Sequence, residues 1–135
     1  MALIFVLDAS AMLAFLRDEP GAHEVGEILG DSEAISIAHS INWCEIYYSL
    51  IGERDELAAS QAVAGLRRLG VVDRSDPDPD LWRRAAQIKT GGRISLADCL
   101  CLALAEKVAG TTVTSDRREF GPLGDRVTSP IKFIR

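Results

Sequence analysis

The segment from Ser95 to Ala105 reads SLADCLCLALA and contains one charged residue, Asp98. As a helix it is apolar or small on nearly every side, which is typical of a helix buried all round. Burying an unpaired carboxylate costs on the order of several kcal/mol. The pattern therefore predicts a buried helix whose carboxylate is ion-paired, hydrogen-bonded, protonated or bound to a metal ion.

Short apolar runs alternate with helical patterns along the rest of the chain. Strands are predicted over residues 2–7, 34–38, 71–73 and 111–115, with one or two final pieces in 126–129 and 131–134. Helices are predicted over residues 9–19, 22–30, 40–53, 56–70, 79–90 and 94–110, with a short turn or helix over 116–120. This alternation indicates an α/β fold, with a mostly parallel sheet and helices on both faces. No repeat or linker interrupts it, so residues 1–135 are predicted to form one domain.

Composition narrows the function classes. The formal net charge of −5 argues against a generally basic nucleic-acid binder, although a local basic rim can still hold phosphates. The apolar N-terminus lacks a positive n-region and is interrupted by Asp8, so neither a signal peptide nor a membrane span is expected and a cytoplasmic location is favoured. The three cysteines form no CxxC pair and sit in apolar surroundings, which predicts buried, reduced thiols.

Four acidic residues occupy informative positions. Asp8 directly follows the first predicted strand, and Asp116 follows the strand TTVT. In open α/β sheets, active sites lie beyond the carboxyl ends of strands, where the strand order reverses. If those two strands are neighbours there, both carboxylates face one crevice. Asp98, near the start of the buried helix, and Glu45, in the apolar part of another helix, can be aimed at the same crevice.

Clustered carboxylates have a chemical rationale and a structural alternative. Their mutual repulsion raises pKa values, and Mg²⁺ or Mn²⁺, which prefers oxygen ligands, relieves it. Such an ion can activate water to attack a phosphodiester. Alternatively, Asp8 and Asp116 cap helices, and Ser95 with Asp98 forms a capping box. The segments Asn42 to Glu45 and Asp116 to Glu119 have the same capping-box spacing, but capping accounts less well for Glu45, which is embedded among apolar and aromatic residues.

Four short motifs occur in order along the chain: Asp8-Ala9-Ser10, Glu45 in the third helix, Asp98 in LADCLCLALA, and Thr114-Ser115-Asp116 with Phe120. Together they resemble the four acidic motifs of the PIN domain. Their order and setting, and the chain length, resemble the VapC-type toxins of bacterial and archaeal toxin–antitoxin pairs. The resemblance covers essentially the whole chain, with Ala9 standing where the family often has Ser or Thr.

The resemblance implies a PIN-like fold, a three-layer α/β/α sandwich with a parallel five-stranded sheet. It also implies Mg²⁺-dependent cleavage of RNA, with Mn²⁺ as a substitute, and a homodimer held inactive by a cognate antitoxin whose tail can occlude the site. The implied catalytic and metal-binding residues are Asp8, Glu45, Asp98 and Asp116, supported through hydrogen bonds by Ser10 and Thr114.

Other assignments stay open at this stage. Arg93 and Arg117 either bind substrate phosphates at the rim of the acidic site or are solvated surface charges. Glu119 is either a fifth acidic ligand or a favourable charge in the first turn of a helix. The alternative functions are another metal-dependent phosphoryl-transfer enzyme and a catalytically silent binding or regulatory module. A phosphatase that uses Asp8 as nucleophile commonly needs a second Asp two residues later, where Ser10 stands.

Overall fold

The computed structural model describes residues 3–75 and 78–135 and contains one five-stranded sheet. Its strands are β1 (Leu3–Leu7), β2 (Ala34–His39), β3 (Val72–Arg74), β4 (Thr111–Thr114) and β5 (Ile131–Phe133). They lie in the order β3-β2-β1-β4-β5, and every neighbouring pair is parallel. This confirms the predicted parallel, five-stranded sheet.

The helices follow the predicted alternation. They are α1 (Ala9–Leu16), α2 (Ala22–Gly30), α3 (Ser40–Glu53), α4 (Glu56–Arg68), α5 (Pro79–Thr90), α6 (Leu96–Lys107) and α7 (Arg117–Phe120), followed by a 3₁₀ helix at Gly121–Arg126. Within the described part of the chain, none of them is both long and apolar enough to cross a membrane.

Two hydrophobic cores cover the two faces of the sheet. Val6 and Leu7 are adjacent in β1, so their side chains point to opposite faces, and both are fully buried. Val6 packs with residues of α5, α6 and the 3₁₀ helix. Leu7 packs with residues of α1 to α4. The fold is therefore the predicted three-layer α/β/α sandwich.

Helix α6 has the expected buried character. Cys101, Leu102 and Leu104 have no exposed surface. Ser95 begins the helix, because its Oγ accepts a hydrogen bond of 3.1 Å from the backbone N–H of Asp98. Asp98 thus stands in the first turn of α6, at the end of the helix that lies near the carboxyl ends of the strands.

The carboxyl ends of β1 and β4 form the point where the strand order reverses. Within the sheet, β2 lies next to β1 on the side away from β4, and β5 lies next to β4 on the side away from β1. The connections that follow β1 and β4 therefore run in opposite directions. The register pairs Leu7 of β1 with Val113 of β4. Asp8 follows Leu7, and Thr114 follows Val113. Asp8 and Thr114 are therefore neighbours at the crevice where open α/β sheets bind ligands.

Three expectations need correction. Helix α1 ends at Leu16, earlier than residue 19, because Asp18 adopts a left-handed conformation with φ of 53°. Residues 126–129 form no strand, since the 3₁₀ helix extends to Arg126 and the final strand starts at Ile131. Cys44 is exposed on the outer side of α3, whereas Cys99 and Cys101 are buried as expected. Ala2 of the first predicted strand and residues 76–77 of the acidic loop lie outside the described residues.

Candidate active site

Asp8 is the most buried carboxylate of the site, with 1% of its surface exposed. Its Oδ1 accepts hydrogen bonds from the Ala11 backbone N–H and the Ser10 hydroxyl, each 2.8 Å long. Its Oδ2 accepts a 2.5 Å hydrogen bond from the Thr114 hydroxyl. Burial raises the pKa of Asp8 to about 6 although these hydrogen bonds oppose the rise. Asp8 therefore both caps α1 and points at the end of β4.

The two predicted supporting hydroxyls join the loop after β4 to the start of α1. Ser10 Oγ accepts a 3.0 Å hydrogen bond from the Ser115 backbone N–H. Thr114 Oγ1 accepts one of 3.0 Å from the backbone N–H of Asp116. Each hydroxyl thus donates to Asp8 and accepts from the segment that carries Asp116, so the two carboxylates are held in one fixed arrangement.

Asp98, Asp116 and Glu119 form the tightest acidic group. Each offers a carboxylate oxygen, and these three oxygens lie within 4.8 Å of one another. Asp116 also caps α7 through a 3.0 Å hydrogen bond from the Glu119 backbone N–H. The pKa of Asp98 is raised to about 9 by burial first, then by a hydrogen bond with Glu119 and by the charge of Asp8. Glu119, left open between ligand and first-turn charge, is therefore part of the acidic cluster by position.

Glu45 approaches the same point from α3. Burial, and then the charge of Glu119, raise the pKa of Glu45. Its Oε1 is buried and has no hydrogen-bond partner among the described residues. Burial raises the pKa of the Cys101 thiol, and the charges of Asp8, Asp98 and Glu45 raise it further. The four predicted acidic residues are therefore brought together, on elements far apart in sequence.

Asn42 is a site residue that the sequence pattern did not reveal. It is completely buried. Its Oδ1 accepts a 3.2 Å hydrogen bond from the Ala9 backbone N–H, and its Nδ2 donates to the Ala97 carbonyl at 3.5 Å. It thereby connects α3 to α1 and α6, the elements that carry or follow the other carboxylates. The available signal was a polar residue one turn before Glu45, beside the apolar Trp43 and Ile46.

The donor set fits a hard divalent cation. The charged side chains that converge here are carboxylates, and carboxylate oxygens are ligands that Mg²⁺ and Mn²⁺ prefer. The Oε1 of Glu45 is buried without a hydrogen-bond partner among the described residues, and burial, a hydrogen bond with Glu119 and the charge of Asp8 raise the pKa of Asp98. A cation is the simplest group that satisfies both features.

An open cleft of ≈ 640 Å³ adjoins the acidic cluster and shares Asp116 and Glu119 with it. Arg93, predicted at the rim, lines this cleft, and so does Arg118, which the sequence did not single out. Arg117 lies elsewhere. Its Nε donates to the Arg135 carbonyl at 2.6 Å, and its guanidinium lies 4.5 Å from the centre of the Phe133 ring.

Several solved structures share this fold. The toxin–antitoxin complex VapBC2 from Rickettsia felis, bound to a DNA fragment from its promoter, contains a chain that matches with a TM-score of 0.72 and 18% identity, over 97% of this chain and 98% of that one. DNA-bound VapBC from Salmonella typhimurium matches with a TM-score of 0.72 and 19% identity, over 98% and 99%. VapC20 from Mycobacterium tuberculosis, a toxin that cleaves the sarcin-ricin loop, matches with a TM-score of 0.69 and 17% identity, over 89% and 95%. No curated protein matches the sequence.

The family model for the PIN domain matches residues 5–122. That span runs from β1 into the 3₁₀ helix and includes every acidic residue of the cluster. The match agrees with the four motifs that the sequence presents and with the convergence of their carboxylates at the ends of β1 and β4. This chain therefore belongs to the PIN domain family.

Proposed function

We propose that this protein is a Mg²⁺- or Mn²⁺-dependent endoribonuclease and the toxin of a toxin–antitoxin pair. The observation that carries the proposal is the convergence of carboxylates from four separate parts of the chain at the reversal point of the sheet. Membership of the PIN domain family supports nuclease chemistry. The likeness to VapC-containing complexes, and to a toxin that cleaves RNA, supports the toxin role.

The proposed metal ligands, direct or through water, are Asp8, Glu45, Asp98 and Asp116. When bound, the cation supplies charge stabilisation at the phosphodiester and a water of lowered pKa. Glu119 adds a fifth negative charge beside Asp98 and Asp116. The hydroxyls of Ser10 and Thr114 fix both oxygens of Asp8, so that its position is set before a ligand arrives.

Metal binding is tested by thermal unfolding with and without Mn²⁺, in the wild type and in Asp98→Asn. Saturation at about 100 times Kd should stabilise the wild type by roughly 2.7 kcal/mol, or about 10 °C in Tm, and the variant by much less. The matched control is Asp18→Asn, since Asp18 is exposed, outside the site and in a left-handed conformation that Asn tolerates. It should respond to Mn²⁺ as the wild type does.

Cleavage is tested on total bacterial RNA with Mg²⁺, Mn²⁺ or EDTA. The wild type should cut only with a divalent cation, and Asp98→Asn should not cut while keeping its fold. Cleavage by Asp98→Asn at the wild-type rate would contradict the assignment. If the wild type neither responds to Mn²⁺ nor cuts any RNA, the silent binding module becomes the better explanation.

The chain is proposed to form one domain over residues 1–135 and to act in the cytoplasm. Its proposed partners are RNA, a cognate antitoxin and a second copy of this chain. Apolar side chains on the outer face of α3 support the homodimer. Ile41, Tyr48 and Ile51 are 40%, 60% and 40% exposed, and they lie at positions i, i+7 and i+10. Sedimentation should find a dimer that Tyr48→Glu dissociates.

Expression of the chain alone should stop bacterial growth, and expression of Asp98→Asn should not.

A further inference from the structure

We propose that the cleft beside the acidic cluster binds a single-stranded RNA segment next to the bond to be cut, with Arg93 and Arg118 holding its backbone phosphates. We refer to it as the Arg93–Arg118 cleft. This inference rests on the proposed ribonuclease function. It adds the surface that receives the substrate and two residues that position it.

Location is the first argument. Asp116 and Glu119 belong to both the acidic cluster and the wall of the cleft. An RNA strand lying in the cleft is therefore in contact with two residues of the acidic cluster that would hold the cation. The chain has a net charge of −5, and the site itself adds carboxylates that repel a polyanion. Positively charged side chains at this place offset that repulsion and allow an RNA backbone to approach.

The arginines of this region differ in what they already contact. In residues 3–75 and 78–135, the guanidinium groups of Arg93 and Arg118 have no hydrogen bond or ion pair to a protein group. Arg126, which also lines the cleft, donates to the Ile88 carbonyl at 2.8 Å and to the Gly91 carbonyl. Arg93 and Arg118 are thus available for phosphate oxygens, whose geometry suits the guanidinium fork.

Arg126 holds the cleft in shape. Its contacts at the end of α5 attach the 3₁₀ helix to the loop that carries Arg93. Gly91 makes this approach possible, because a Cβ at that position would collide with the Arg126 guanidinium. The wall that presents Arg93 is therefore fixed before substrate binds, which reduces the entropy lost on binding.

The size and floor of the cleft suit an unstacked nucleotide. Its volume of ≈ 640 Å³ lies inside the range of about 300–1,000 Å³ seen for small-ligand sites. Pro122, which is exposed, gives it an apolar floor beside Ile94 and Leu123, which are nearly buried at 2% and 3% exposure. A base face can lie on that floor while the arginines hold the adjoining phosphates. Stacked bases of a duplex are not presented in this way, so a loop or single strand is the better fit.

Binding tests the inference without cleavage. The probe is a fluorescein-labelled, random-sequence, single-stranded oligoribonucleotide in EDTA, titrated by anisotropy at several KCl concentrations. Each lost phosphate contact lowers the slope of log Kobs against log[salt] by about 0.7. Arg93→Gln and Arg118→Gln should each show that loss, and the double variant about twice as much. Arg118→Lys should recover most of the slope because it keeps the charge.

The control is Arg68→Gln, an exposed arginine on α4 outside the cleft, which should leave the slope unchanged. With cleavable RNA and Mn²⁺, each cleft variant should raise KM by roughly tenfold and change kcat much less. If the wild type cleaves RNA but the double variant keeps its slope and KM, the cleft assignment is wrong and the ribonuclease stands. If the wild type cleaves no RNA at all, the proposed function fails and this inference fails with it.

Discussion

The raised pKa of Asp98 predicts that the metal-free protein loses stability as pH rises. With a pKa of about 9 in the folded protein, against an ordinary 3.8, Asp98 keeps its proton in the native state between about pH 4 and pH 9 and loses it on unfolding. The native state then binds one more proton than the unfolded chain. The free energy of unfolding therefore falls by about 1.4 kcal/mol per pH unit across that interval.

Between pH 6 and pH 8 this amounts to a loss of about 3 kcal/mol, or about 10 °C in Tm, in EDTA. Asn cannot titrate but can still donate to Glu119, so Asp98→Asn should lose less than about 1 kcal/mol over the same interval, mainly from Asp8. The pKa of Asp8 is about 6, so most of its own loss lies below pH 6. The variant should be the more stable protein at pH 8.

The assay is urea unfolding at several pH values in EDTA, with wild type, Asp98→Asn and the Asp18→Asn control. Equal pH dependence in wild type and Asp98→Asn would refute the placement of a retained proton on Asp98. With saturating Mn²⁺ the wild-type trend should disappear between pH 6 and pH 8, because a metal that replaces the proton leaves Asp98 unprotonated in both the native and the unfolded state.

Three further outcomes follow from particular contacts. Asn42→Ala leaves the backbone N–H of Ala9 without its partner and should cost about 1–3 kcal/mol in urea unfolding with an unchanged m-value. A loss below about 0.5 kcal/mol would show that this N–H finds another partner. Thr114→Val removes the hydroxyl that donates to Asp8 and should weaken Mn²⁺ binding by about 10–100-fold in calorimetry, whereas Thr114→Ser should bind nearly normally. Gly91→Ala should displace Arg126 and lower RNA affinity in EDTA, and wild-type affinity would show that the loop adapts freely.

Local patterns in the sequence were enough for much of the fold. The alternation of apolar strands with helical segments predicted the parallel sheet, and the apolar run around Asp98 predicted the buried helix α6. Errors occurred where a local conformation overrode the pattern. Asp18, in its left-handed conformation, ends α1 early, and no periodicity marks the 3₁₀ helix after α7.

The sequence by itself also indicated the four acidic positions. Each either follows a strand or stands in an apolar helix, where burying an unpaired charge is costly. It could not say which other polar groups join them. Asn42 and Glu119 reach the site only through the packing of α3, α6 and α7.

Arg117 and Arg118 show the limit most clearly, since they are adjacent in sequence and equally charged. Successive residues of a helix point about 100° apart, so α7 directs Arg117 to Phe133 and the end of β5, and Arg118 to the cleft. Local sequence determined the elements and the acidic set. Tertiary structure alone decided which arginine accompanies them, because that depends on how α7 is rotated against the sheet.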